Sequence, residues 1–333
     1  MNTMAASPKP VEIAGAVNRR LERLMPVITP LSIALGFCLP GVFIHLRPLV
    51  PFLFGLMTFS GALKLRAAEF GETIRKPAPI LLFFAASHVL MPLAARCASA
   101  LCFDNPDITA GFTLLFSGPT AVSGFIWAAM FGGDGALCLT LILLDTLLAP
   151  LVVPGTVSIL TGNSTALNMS GIAVSLLLMV VVPTIAGAAV NESSRGKAPV
   201  IACPWLNPAS KICLMLVIAA NTSAVAPRIR LDDPLVWKVA ALCIPLSATG
   251  FLLAKLAAAA GRCRAEKGVT LIFSGGLRNI SAVSTIAVVF FPEAAALPAL
   301  LGIVFQQSIA AIMGKLLVRK HKEYLRRITT NGT

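Results

Sequence analysis

Long apolar segments alternate with short polar or basic stretches along this chain. The apolar segments are rich in Leu, Ala, Val and Ile and contain Gly and Pro. A spanning helix needs about 20 apolar residues, whereas a transmembrane barrel strand alternates apolar and polar positions. The pattern therefore predicts an all-α polytopic membrane protein with ten transmembrane helices, at approximately 25–43, 46–65, 78–101, 108–131, 135–161, 168–190, 208–226, 233–259, 268–291 and 296–318.

Composition agrees with this prediction. Apolar residues make up 57% and charged residues 12% of the chain. The mean hydropathy of +0.86 is far above that of soluble domains. The net charge of +13 does not indicate a nucleic-acid partner, because the basic residues lie at the ends of apolar segments without interleaved aromatic residues.

The basic residues instead predict the orientation in the membrane. With a cytoplasmic N-terminus, most of them fall on cytoplasmic segments, as membrane proteins prefer. We therefore expect a multi-pass protein of a bacterial inner membrane with both termini cytoplasmic, a tail at 1–24 and a basic tail at 319–333. The cytoplasmic set comprises Lys9, Arg19, Arg20, Arg23, Lys64, Arg66, Arg75, Lys76, Arg195, Lys197, Arg262, Arg264, Lys267 and the stretch from Lys315 to Arg327.

A short motif occurs twice. TLLFSG begins at Thr113 and TLIFSG at Thr270, an offset of 157 residues, and one apolar exchange separates the copies. Pro119 follows the first copy and a second glycine, Gly276, ends the Ser-Gly-Gly of the second. Both stretches are poor helix formers, so each span is predicted to break, at Pro119 and at Gly275 to Gly276.

Two broken spans in corresponding halves are typical of transporters built from repeats. A break at bilayer depth is tolerated only where protein or a water-filled cavity surrounds the freed backbone groups. The offset equals five spans, an odd number, so the second half enters the membrane in the opposite orientation. The prediction is two inverted five-helix repeats, 25–161 and 162–318, with crossing helices 4 and 9.

Residues beyond the repeated motif resemble the bile acid:sodium symporter family. The segment SGPTAVSGFIWAAMFGGDGALCLTLILLDTLLAPLVVP is similar to the family's fourth and fifth spans, and GGLRNISAVSTIAVVFFPEAAALPALLGIVFQQ to its ninth and tenth. HVLMPLA, from His88 to Ala94, resembles part of its third span. The resemblance implies a panel of helices 1, 2, 6 and 7, a core of helices 3–5 and 8–10, and alternating access between them.

The resemblance also implies sodium binding at the helix crossing, but the chain departs from the family there. Aligned on Pro119 and Gly133, most oxygen-bearing ligand positions hold other residues, so sodium is a doubtful ion and no other cofactor is expected. The family's sodium-ligand positions fall on Ser87, Gly124, Phe125, Cys138, Ile142, Ser274 and Arg278.

Arg278 is the distinctive residue of the predicted site. A charge at the bilayer centre normally faces a cavity and has a partner, and Asp145 in the fifth span is the candidate partner. The pair is either a closed structural contact or leaves the guanidinium to bind a carboxylate or sulfonate. The predicted substrate-binding residues are Ser117, Pro119, Thr120, Ser123, Ser274, Arg278, Asn279 and Ser281, and the residues for charge pairing or coupling are His88, Asp145, Gln306 and Gln307.

These features favour a secondary transporter of a small or amphipathic organic anion in the lipid bilayer, with no obligatory protein partner. A sodium-independent or proton-coupled carrier is the alternative within this fold, and a non-transporting receptor or sensor is the alternative from another class. An enzyme is not expected, because the sequence contains neither HExxH nor GxSxG and no matching second motif for an aspartyl dyad. The scattered histidines and cysteines predict no metal site.

Overall fold

The structure, a computed structural model, describes residues 10–63, 75, 77–162, 168–226 and 232–318. In this part of the chain it is helical, with no strand beyond one isolated bridge. The α-helices are α1 Pro10–Cys38, α2 Pro40–Phe43, α3 Val50–Ala62, α4 Ala78–Phe84, α5 Met91–Cys102, α6 Pro106–Ser117, α7 Ser123–Met130, α8 Gly135–Thr161, α9 Met169–Leu176, α10 Val182–Ser193, α11 Lys197–Val225, α12 Pro234–Ala260, α13 Ala265–Gly276, α14 Ile280–Phe290 and α15 Glu293–Met313. Short 3₁₀ or π turns join several of them, at Ile44–Leu49, Ala85–Leu90 and Leu177–Val181, and a π turn at Gly314–Val318 follows α15.

Short polar side chains start many of these helices. Asn105, Asp134, Asn168, Asp233 and Asn279 each precede a helix and accept a hydrogen bond from a backbone N–H of its first turn. Such N-caps satisfy donors that have no partner within the helix. The polar residues between the apolar segments therefore fix where the helices begin.

Length and apolar composition single out six described helical segments that are long enough to cross a membrane, or seven if a bent pair near the C-terminus is one span. These six are Pro40–Ala62, Ala78–Cys102, Gly135–Thr161, Met169–Ser193, Lys197–Ala224 and Pro234–Ala260. The chain is thus a multi-pass membrane protein. The segments predicted as the fourth and ninth spans are each divided into two helices, of 12 and 8 residues and of 12 and 11 residues, so neither has a continuous helix of sufficient length.

Both predicted breaks are present, and the second lies later than expected. Helix α6 ends at Ser117 and α7 begins at Ser123, so Pro119 lies in the break as predicted. Gly275 and Gly276, however, form the last turn of α13, and the interruption is Leu277 to Asn279. A Cβ on Gly276 would lie 2.3 Å from the ring of Phe251. The second glycine therefore serves close helix packing, and the Asn279 cap sets the restart.

The helices pack in two groups. In the first group, α11 contacts α1 and α3, and α3 contacts α10. In the second group, α12 contacts α13 and α15, while α6 packs between α5 and α15. The two broken segments, α6 with α7 and α13 with α14, belong to the second group and meet each other within it.

Helices α6 and α15 approach so closely that their backbones touch. A Cβ on Gly111 of α6 would lie 2.3 Å from the carbonyl oxygen and 2.8 Å from the Cα of Ala295. Backbone atoms cannot turn aside as the end of a flexible side chain can. Small residues at helix interfaces in membranes permit this kind of approach, and here it fixes the helix that precedes the first break.

We predict that Gly111→Ala destabilises the protein by about 1–3 kcal/mol, the usual range for overpacking, because α6 must move away from α15. Thermal unfolding in detergent measures the change. Gly155→Ala in α8 is the matched control, since a Cβ at Gly155 meets nothing within 4 Å. An equal loss of stability in both variants would show that helix spacing is not the reason.

Candidate functional site

The two helix breaks bind each other through their backbones. The Ala121 N–H donates to the Leu277 carbonyl oxygen at 3.1 Å, and the Asn279 N–H donates to the Pro119 carbonyl oxygen at 2.7 Å. Together they form a short antiparallel bridge centred on Thr120 and Arg278. Backbone groups released by one broken helix are therefore satisfied by the other.

Thr120 ties the first break to the end of α13. Its hydroxyl donates to the Ser274 carbonyl oxygen at 2.6 Å and lies 3.2 Å from the Leu277 carbonyl oxygen. Leu277 is the position related to Thr120 by the repeat offset of 157 residues. Positions at the same spacing after the two repeated motifs are thus in direct contact.

Asp145 of α8 binds the backbone of the first break. Its Oδ2 accepts the Thr120 N–H at 2.6 Å, and the side chain is fully buried. Its Oδ1 lies 2.7 Å from His88 Nε2, although the two atoms are not aligned as a hydrogen bond. The contact is therefore a charge contact when the imidazole is protonated, and His88 Nδ1 has no partner among the described residues.

The Arg278 side chain is 2% exposed and its guanidinium is directed at backbone carbonyls. Nη2 donates to the oxygens of Ser87 at 2.9 Å and Gly275 at 3.2 Å, and Nη1 donates to that of Gly118 at 3.4 Å. The Arg278 backbone N–H donates to Gln306 Oε1 at 2.9 Å. A large buried cation is thus stabilised by oxygens from three separate segments.

The direct ion pair between Arg278 and Asp145 that the sequence suggested is not formed. No nitrogen of the guanidinium lies within 4 Å of the carboxylate, and Asp145 is paired with His88 instead. The reason is geometric. The carboxylate oxygens contact the Thr120 N–H and the His88 imidazole, whereas the guanidinium donates to backbone carbonyls. The sequence placed these groups in one region but did not specify their partners.

The predicted substrate residues divide by exposure. Ser123, Asn279 and Ser281 are half-buried and stand at the starts of α7 and α14. The others are buried, namely Ser117, Pro119, Thr120, Ser274 and Arg278. Ser117 donates to the Thr113 carbonyl oxygen at 2.6 Å, an intrahelical bond, and the side chain of Gln307 lies outside the described residues.

Several of the positions aligned with sodium ligands come together, but they provide few side-chain oxygens. Cys138 Sγ and Ser274 Oγ are 3.5 Å apart, and the Ser87 hydroxyl is buried without a partner among the described residues. Sodium is a hard cation that requires several oxygen ligands. Gly124, Phe125 and Ile142 offer no side-chain oxygen, and the nearby carbonyls already accept hydrogen bonds from Arg278.

One buried polar contact links the two helix groups and was not predicted. The amide of Asn221 in α11 donates to the hydroxyls of Ser284 at 3.1 Å and Thr285 at 2.9 Å in α14. The neighbouring Thr222 hydroxyl is buried without a partner in the described chain. The run Asn221-Thr222-Ser223 within an apolar span was the available sequence signal, because intramembrane polar residues usually face another helix or a cavity.

A separate cleft of about 240 Å³ opens where α5 and α8 end and α6 begins. Its lining includes Arg96, Asp104, Asn105 and Thr109, and it shares no residue with the paired breaks. Arg96 Nε donates to the Leu160 carbonyl oxygen at 2.9 Å. This arginine thus also binds a backbone carbonyl, at a distance from the site described above.

Comparison with known proteins gives several relatives over most of the chain. It is 37% identical over 296 residues to the uncharacterized protein YbaS of Bacillus subtilis (strain 168), covering 89% of this chain and 97% of that protein. It is 23% identical to the uncharacterized sodium-dependent transporter YocS of the same organism, covering 87% and 89%. It is 24% identical to the probable chloroplastic sodium/metabolite cotransporter BASS3 of Oryza sativa subsp. japonica, covering 91% and 71%.

The family model described as the sodium bile acid symporter family matches residues 51–229, more than half of the chain. The match begins in α3 and continues through the first break, α8 and α11. It agrees with the apolar helices, with the paired breaks and with the transporter names of two relatives. The chain therefore belongs to the sodium bile acid symporter family of membrane transporters.

Proposed function

We propose that this protein is a secondary active transporter that moves a small or amphipathic organic anion by alternating access. The observation that carries the proposal is the pairing of two broken helices through Thr120 and Arg278. In secondary transporters, broken helices of this kind place substrate and coupling sites near the middle of the membrane. The family supports the general activity, and the pairing supports the proposed location of the site.

The proposed architecture is ten spans in two inverted five-helix repeats, 25–161 and 162–318. Support comes from the contact of repeat-related positions, Thr120 and Leu277, in the two breaks. The first helix group corresponds to the proposed panel and the second to the proposed core. We further propose an inner-membrane location with the N-terminal segment 1–24 and the basic tail 319–333 in the cytoplasm. Residues 10–24 of the first segment belong to α1.

The proposed anion site lies at the starts of α7 and α14, beside the paired breaks. A helix N-terminus carries partial positive charge. Ser123 and Ser281 have hydroxyls without a partner among the described residues, and the Asn279 amide is half-exposed. Because the guanidinium of Arg278 is bound to carbonyls, we propose that these three side chains contact the substrate while Arg278 adds positive charge nearby.

A proton-coupled carrier is the second candidate, and the His88–Asp145 contact favours it. A buried imidazole and carboxylate 2.7 Å apart can hold or release a proton while the carboxylate binds the Thr120 N–H at the break. A charged neighbour is the Arg278 guanidinium, which donates to the Ser87 carbonyl next to His88. A change of protonation here would act directly on the paired breaks.

The first prediction of the proposed function concerns transport itself. Purified protein in proteoliposomes should take up radiolabelled organic carboxylates or sulfonates above the level of protein-free liposomes. Replacing sodium by potassium or choline should change uptake little, because the carbonyl oxygens are bound to Arg278. Specific binding of the same anions without uptake would favour a receptor or sensor, and strict sodium dependence would contradict the proposed coupling.

The second prediction concerns coupling. With the outside one pH unit more acid than the inside, each co-transported proton adds about 1.4 kcal/mol, or up to roughly tenfold accumulation. His88→Gln should abolish this pH response, because glutamine cannot take up the proton. His45→Gln is the matched control, since His45 is exposed in the 3₁₀ turn before α3. An unchanged pH response in His88→Gln would remove His88 from the coupling.

The third prediction separates the structural role of Asp145 from coupling. Asp145→Ala should lower stability by about 1.5–3 kcal/mol, because the Thr120 N–H loses a charged acceptor. Asp145→Asn keeps an oxygen for that N–H and should recover most of the stability without recovering the pH response. Thermal unfolding and pH-dependent uptake measure the two effects. Full pH response in a stable Asp145→Asn variant would show that the carboxylate is not required for proton coupling.

A further inference from the structure

The guanidinium of Arg278 is surrounded by backbone carbonyl oxygens. It meets three carbonyl oxygens and no carboxylate within 4 Å. The oxygens come from Ser87 in the π turn Ala85–Leu90, from Gly118 directly after α6, and from Gly275 in the last turn of α13. Three segments that are distant in sequence therefore direct the same kind of ligand to one point.

The electrostatic sign of this point is negative. Carbonyl groups at the end of a helix have no intrahelical partner and carry the negative end of the helix dipole. Helices α6 and α13 both end here, and Asp145 adds a full negative charge beside Thr120. Carbonyl oxygens of broken helices, with helix C-terminal ends, form cation sites in secondary transporters. An anion would be repelled from the position that the guanidinium occupies.

We propose that Arg278 is a tethered cation that fills a cation site at the paired breaks. The covalently held guanidinium takes the oxygens that a free monovalent cation would otherwise use, so the carrier holds its cation permanently. The inference rests on the proposed function, because it takes the paired breaks as the transport site and concerns the ion that is coupled to transport there. It also accounts for the poor fit of sodium, because the site is occupied by the protein's own side chain.

An arginine that merely closes the helix ends is the competing explanation. In that case the carbonyls need hydrogen-bond donors, and removing the side chain leaves a defect that inorganic cations do not repair. A tethered cation predicts instead that removal opens a site for a free cation. The two explanations therefore differ in how an Arg278 variant responds to added ions.

The test is the thermal unfolding of purified Arg278→Ala in detergent, in sodium, potassium or guanidinium chloride against choline chloride at equal ionic strength. We expect lower stability than wild type in choline, and a saturable rise in Tm of ~3 °C or more with at least one of the three cations. Wild type should show no such rise, because its site is filled. Arg278→Lys should respond no more than wild type, because an ammonium group keeps a positive charge in the site.

Arg96→Ala is the matched control, since Arg96 also donates to a backbone carbonyl but lies away from the breaks. Should Arg278→Ala not fold, Arg278→Gln provides the same comparison with a smaller cavity. The inference would be overturned if added cations raised the Tm of the folded Arg278 variant no more than that of wild type and Arg96→Ala. The measurement needs no substrate, so a failure of the transport proposal would appear separately, in the uptake experiments.

Discussion

Interrupting a helix inside a membrane leaves backbone N–H and C=O groups that neither lipid nor the helix can satisfy, and each such group costs several kcal/mol. Here two interruptions are placed against each other so that their freed groups pair. The N–H groups of Ala121 and Asn279 find carbonyls of the opposite break, and that of Thr120 finds Asp145. Neither break has all these partners without the other, so the rest of the core is organised around keeping them in contact.

The buried charges follow from the same constraint. Each broken helix ends with carbonyls that need donors and restarts with N–H groups that need acceptors. Arg278 supplies donors to the helix ends, whereas Asp145 and the Asn279 side chain supply acceptors near the restarts. The Arg278 guanidinium thus binds carbonyl groups and the Asp145 carboxylate binds an N–H group, so the two side chains do not need to touch each other. This arrangement leaves the Asp145 carboxylate available to His88.

The sequence predicted the features that depend on neighbouring residues or on a repeated motif. Long apolar segments gave the helices, and the two copies of the Ser-Gly motif gave the broken segments and their correspondence. Partner choice was harder, because Ser87 and Gly118 lie far from Arg278 in sequence. These two residues and Gly275 contribute only carbonyl oxygens. Any residue type can offer such an oxygen, so composition and spacing contain no signal for it.

The glycines and Asn221 show two further limits. The sequence suggested that Gly275 and Gly276 break the helix. Instead, Gly276 leaves room for the ring of Phe251, a contact that is visible only in the folded structure. Asn221 bridges the two helix groups through Ser284 and Thr285. The polar residues around Asn221 stand out within an apolar span. A single sequence, however, does not show which other helix they contact.

A cation that never leaves the protein has a consequence for the direction of net movement. A dissociable cation that travels with an anion cancels its charge, whereas the Arg278 guanidinium stays with the protein after each cycle. A monovalent anion that moves without a counter-ion is then driven by the membrane potential, about 2.3 kcal/mol per 100 mV, or roughly a 50-fold gradient. With a negative cytoplasm, that force points outward. The proposed carrier of organic anions would then be energetically suited to exporting or exchanging them, whereas accumulating them would require another travelling charge such as a proton.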